Sequence, residues 1–297
     1  MQLISAFKEH FHQLYRSIRF LEGEIKDKTR EEVVVMLKRN IEELTSFVNL
    51  LISVDETLPL LRCQKALHGF EKDLSELYLV YLEEDLLDLE KAMELEHREF
   101  HALLASEKKK KKDKYRELAH DLYLNTIHAT DQFVSNHIKV MNPENVKEKI
   151  VSYFENTIKV INEQYLSSRF EGLKETVFEI SYNFELLRKM GSESNMDEGQ
   201  KIISELSYLR EKLTNRLLYL DAARKISDLE AGSMDVQQLN NRVIDIEDEL
   251  LGSSASFEKL SNRIIDYLRK VLWEKSGAVG ESRHDSVPPI NLREIYK

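Results

Sequence analysis

Residues 143–190, PENVKEKIVSYFENTIKVINEQYLSSRFEGLKETVFEISYNFELLRKM, decide how the chain is read. Asn142-Pro143 opens the stretch and Met190-Gly191 closes it, and no further proline interrupts it. In its second half Leu166, Phe170, Leu173, Val177, Ile180, Phe184 and Leu187 recur at alternating steps of four and three. That spacing draws one narrow apolar stripe along a helix, the seam by which helices pack nearly parallel or antiparallel. An unbroken helix over the stretch would reach roughly 65–70 Å at ~1.5 Å per residue. The spacing therefore predicts a central rod with the other helices laid along it.

The same pattern extends in both directions. Phe7, Phe11, Leu14, Ile18, Leu21 and Ile25 give a first helix over about residues 2–25. A capping box, Thr29 with Glu32, precedes a second helix with Val34, Leu37, Ile41, Leu44, Val48 and Leu51. There the hydroxyl and the carboxylate each satisfy a backbone N–H left open at a helix start. So short a connection predicts an antiparallel hairpin. Asp55 to Pro59 starts a third helix, expected to run to about residue 107 with a one-residue phase change near Tyr81. A turn is expected at Lys108–Lys112, where five like charges repel. A fourth helix over about 113–141 carries Leu118, Leu122, Ile127, Phe133, Val134, Ile138 and Met141.

Beyond the rod, Gly191-Ser192-Glu193-Ser194-Asn195 reads as a linker. Helices over about 196–230 and 234–251 follow, and Phe257, Leu260, Ile264 and Val271 mark another. The glycine-then-serine chemistry of helix stops and starts separates them. The expected fold is all-α: an elongated, antiparallel, coiled-coil-like bundle of seven or eight helices without a sheet. Residues 1–190 form the main bundle, 196–274 a smaller helical unit, and 275–297 a tail. In that tail Ile290, Leu292, Ile295 and Tyr296 return apolar residues after a Gly/Ser/Pro stretch. Such a motif docks onto a partner or onto the parent fold; the alternative is a frayed end.

Composition bounds the function. Charged residues make up 32%, glycine and proline are few, and the net charge of −10 opposes general affinity for nucleic acid or anionic lipid. A single cysteine, Cys63, rules out an internal disulfide and suits a reducing cytosol. The start, Met1 to Ser5, runs directly into an amphipathic helix, so no signal peptide is expected, and no window is apolar enough to span a membrane.

Three constellations could carry chemistry. Glu-x-x-His occurs at Glu9/His12, Glu94/His97 and Glu117/His120. Di-iron bundles project two such pairs inward with further glutamates. Here only His97 falls near an apolar stripe, so the pairs are read as solvated and no metal or other cofactor is assigned. Lys108, Lys109, Lys110, Lys111 and Lys112, with Lys114 and Arg116, could hold phosphates of nucleic acid or lipid, although no aromatic residue interleaves them. Arg62 and His68, separated by five residues on one helix, resemble the Arg-x(4–6)-His signature of HEPN ribonucleases, themselves helical bundles. The resemblance covers seven residues. It implies that Arg62 binds the scissile phosphate and His68 assists proton transfer across a dimer interface. Phosphate-binding glycine loops, nucleophile elbows and zinc-ligand spacings are missing from the sequence. The expectation is a cytoplasmic, non-enzymatic scaffold or adaptor that self-associates or binds protein partners. The rivals are a HEPN-like ribonuclease or accessory subunit and a phosphate- or nucleic-acid-binding module, the last not favoured.

Overall fold

The computed structural model describes residues 2–27, 31–55, 60–91, 98–117, 120–137, 143–167, 170, 172–190, 196–229 and 234–274. Among these the chain is all-α, with ten helices rather than seven or eight. They are α1 (Gln2–Asp27), α2 (Glu31–Val54), α3 (Leu61–Lys91), α4 (Arg98–Glu117) and α5 (Asp121–His137), then α6 (Pro143–Leu166), α7 (Leu173–Met190), α8 (Met196–Leu229), α9 (Met234–Gly252) and α10 (Ser254–Glu274). Thr29, Glu56 to Pro59 and the tail lie outside the described residues.

The extra helices come from two breaks. The rod is two helices, α6 and α7. Ser167 ends α6 by returning its hydroxyl to the Glu163 carbonyl, and Gly172 turns the chain at φ +75°, a left-handed conformation that suits glycine. Thr176 then donates both its N–H and its hydroxyl to the Gly172 carbonyl. Phe170 is buried in this corner against Tyr165, so the apolar stripe stays in phase although the helix does not continue. The expected third helix is likewise divided, into α3 and α4, and α5 begins at Asp121 rather than near residue 113.

The lysine run is not a turn but lies inside α4. Lysine is a good helix former, and its like charges are countered by the neighbouring helix. Lys111 and Lys114 both pair with Glu76 of α3, at 2.7 and 2.9 Å, and the ammonium groups of Lys108 and Lys112 lie over the Tyr81 ring. These contacts fix α4 antiparallel to α3.

The stripes explain the packing. Every predicted seam residue of α1 and α2 is buried, as are Leu239, Val243, Ile246 and Leu250 of α9 and Phe257, Leu260, Ile264, Leu268 and Val271 of α10. One contiguous apolar cluster runs from Phe7 of α1 through Phe184 of α7 to Ile202 of α8 and Tyr267 of α10. In α8 the stripe changes face. Ile202, Leu206, Leu209 and Leu213 join that cluster, whereas Leu218, Ala222, Ala223 and Ile226 meet Val80, Leu104 and Leu239 in a second one. Leu217, four residues on from Leu213, is therefore exposed. At the start of α8, Gly199 permits a close approach: a Cβ there would sit 2.6 Å from Arg188 Cδ and 2.7 Å from Tyr267 Oη.

Candidate functional site

Arg62 and His68 both lie on the exposed side of α3, and His68 Nδ1 stands 3.7 Å from Glu71. Six residues of helix turn the two side chains roughly 120° apart about the axis, so within one chain they do not face each other. Of the lysine run, Lys109 and Lys110 are exposed, and Lys108, Lys111 and Lys112 are half-buried in the contacts with Glu76 and Tyr81. Ile290, Leu292, Ile295 and Tyr296, like Glu94 and His97, lie outside the described residues. Cys63 is buried, and burial pushes its thiol up to about 12, so it stays protonated.

The two described Glu-x-x-His pairs are not simply solvated, which corrects the expectation. His120 is wholly buried where α4 meets α5, its ring 4.3 Å from Tyr115 and 4.9 Å from Phe70, with Glu22 of α1 3.6 Å from Nδ1. Glu117 faces solvent. His12 turns away from Glu9 and donates from Nδ1 to Oδ2 of Asp131 at 2.7 Å. Among the described residues, no three His, Cys, Asp or Glu side chains gather as a metal ion requires.

The His12–Asp131 bond stands at one end of an open groove on the described surface. Helices α1 and α5 run antiparallel, held by Lys8 to the Ser135 carbonyl, His12 to Asp131, and the Tyr15–His128 stack at 5.2 Å. Beside the greasy stripe of α1, a second stripe of His12, Arg16, Arg19 and Gly23 recurs at four, three, four. With Tyr15, Phe20, Glu24 and His128 these residues line an open groove of about 860 Å³. Asp131 sits beneath it, 4% exposed, and orients the imidazole so that Nε2 of His12 is the nitrogen left for a ligand. Tyr15 Oη accepts a long contact of 3.5 Å from Arg19.

Elsewhere buried polar groups tie helices together. Tyr153 donates to Glu179, which also accepts from Asn49 at 2.8 Å, and Gln64 donates to Asn49 at 2.7 Å. Burial raises the Glu179 carboxyl above its usual range. Where α3, α4 and α8 meet, Lys225 reaches Glu83 at 2.5 Å, Asp221 at 3.1 Å and Glu107 at 3.2 Å. Burial pushes the Glu83 carboxyl upward, and a bond shared with Asp221 acts in the same direction. His10, between α1, α2 and α7, meets the Tyr182 hydroxyl through Nε2, and burial together with the Lys189 charge lowers it to about 4.

No helix among the described residues is long and apolar enough to cross a membrane. Compared with known protein families, with curated proteins and with solved structures, the chain matches none.

Proposed function

We propose that the chain is a non-enzymatic assembly subunit, a helical bundle whose α9 presents a docking face to a basic amphipathic helix of a protein partner. The observation that carries the reading is that α9 bears two apolar stripes. The first, Leu239, Val243, Ile246 and Leu250, is buried against α8 and α10. The second, Ile244 and Leu251 seven residues apart, is exposed at 53% and 38% on one face of the helix. A second stripe at heptad spacing is what a further helix packs against. Asp245 and Asp248 flank it, both exposed, so the partner that fits carries lysine or arginine beside its own stripe. Glu247 and Glu249, one on each side of the buried stripe, are held by Arg216 and Lys212 of α8.

The test uses the full chain with two synthetic amphipathic peptides, one built of Leu and Lys, the other of Leu and Glu. Fluorescence anisotropy is expected to show binding of the Leu/Lys peptide alone, lost in Ile244→Glu/Leu251→Glu and weakened by salt. Equal binding of both peptides, or binding that survives the double substitution, overturns the reading. Light scattering on the same samples reports whether the face pairs with a second copy instead.

A further inference from the structure

We propose that the α1/α5 groove is a binding site for a small phosphate-bearing molecule with a planar ring, of the nucleotide class. This goes beyond the assembly reading and uses a different surface. In the groove, Arg16 and Arg19 stand one helical turn apart, both exposed, flanked by His12 and His128. Side chains at that spacing have Cβ atoms roughly 5–6 Å apart, so two guanidinium forks can close on neighbouring oxygens of one phosphate or of a diphosphate. His12 Nε2, aimed by the 2.7 Å bond from Nδ1 to Asp131, adds a third donor when protonated.

A locally basic groove stands out on a chain of net charge −10. Its one acidic lining residue is Glu24 at the far end, and Asp131 below is engaged by His12. The exposed ring of Phe20 offers a flat face for the ring of the carrier. From His12 to Glu24 the groove is roughly 18 Å long, the scale of one nucleotide rather than of a polymer. The strongly negative field of the whole protein opposes a long polyanion as well.

The lysine run is the rival phosphate site. There Lys111 is already paired with Glu76, and Lys108 and Lys112 lie over Tyr81, so fewer cations are available to a ligand.

The experiment is calorimetric titration of the full chain with sodium pyrophosphate and, separately, ATP at low salt. Histidine ring-proton NMR follows the same additions. Both probes are expected to bind, ATP the more tightly through stacking, with the His12 and His128 ring resonances shifting. Arg16→Gln/Arg19→Gln should weaken binding roughly tenfold or more, while Lys109→Gln/Lys110→Gln leaves it unchanged. Should the arginine variant fail to fold, the ring shifts in the unaltered chain still decide the matter. Absence of binding by the unaltered chain, unmoved His12 and His128 resonances, or loss of binding on the lysine change but not on the arginine change would each overturn the proposal.

Discussion

Acid should weaken this fold through His10, and the size of the effect can be worked from its surroundings. The imidazole is half-buried between Phe47, met edge-on at 5.3 Å, and Tyr182, whose hydroxyl meets Nε2. Burial, reinforced by the charges of Glu43 and Glu185, holds the Tyr182 phenol well above its usual range, so it keeps its proton and donates it. Nε2 must then offer a lone pair, which a protonated ring does not have. The charge of Lys189 and the loss of solvent oppose protonation further, and His10 is lowered from 6.5 to about 4 in the folded chain. In the unfolded chain it returns to the ordinary value.

The unfolded state therefore binds the proton first as pH falls through the interval from 6.5 to about 4, and stability is lost across that interval. Integrating the linkage between about pH 7 and about pH 4.5 gives a loss of roughly 2 kcal/mol from this one group. Carboxylates titrate in the same range, so the measurement is a difference. His10→Gln keeps an acceptor for Tyr182 and does not titrate. Urea unfolding followed by circular dichroism at the two pH values should show the unaltered chain losing about 2 kcal/mol more than the variant. Equal losses, or an NMR titration in which His10 protonates near its ordinary value, would refute the reasoning.

Lys225→Met should cost about 3–5 kcal/mol, because it leaves Glu83, Asp221 and Glu107 gathered without their cation. The loss should be largest at alkaline pH and shrink as pH falls below about 8, where Glu83 takes up a proton, and a scanning-calorimetry midpoint unchanged at alkaline pH would contradict it. Gly199→Ala should destabilise by about 1–3 kcal/mol in urea unfolding, since the new methyl meets the Tyr267 hydroxyl, whose ring is packed on Phe184 at 5.1 Å. Full native stability in that variant would show that α8 can shift to make room. Cys63 should resist a disulfide reagent in the folded chain and react on unfolding in urea, and rapid native labelling would show that its helix opens easily.

How much of this was legible in the sequence depended on which force set each feature. In α1, α2 and α10 the seam positions located by spacing alone are all buried. Spacing failed at the α6–α7 corner because Phe170 and Leu173 keep the four-three rhythm through a turn. The available sign was Gly172, the one glycine within the stretch, at the only positive φ of a described glycine. The lysine run was misplaced for another reason. Repulsion within the run is a local property, whereas Glu76 and Tyr81, which relieve it, belong to a different helix.

The groove was hidden by the same separation, since His12 and Asp131 lie 119 residues apart. One trace of it is present in α5 all the same. Ile127, Asp131 and Val134 follow the spacing of a buried seam, and all three are buried. A carboxylate in a seam position loses its hydration on folding unless a cation or a donor comes to meet it. Leu122, counted into that seam by its hydrophobicity, is instead 72% exposed, so the helix turns its acid inward and a leucine outward. Apolar burial alone would favour the opposite arrangement. The bond to His12 helps offset the difference, and the exchange leaves an oriented imidazole at the surface beside two arginines.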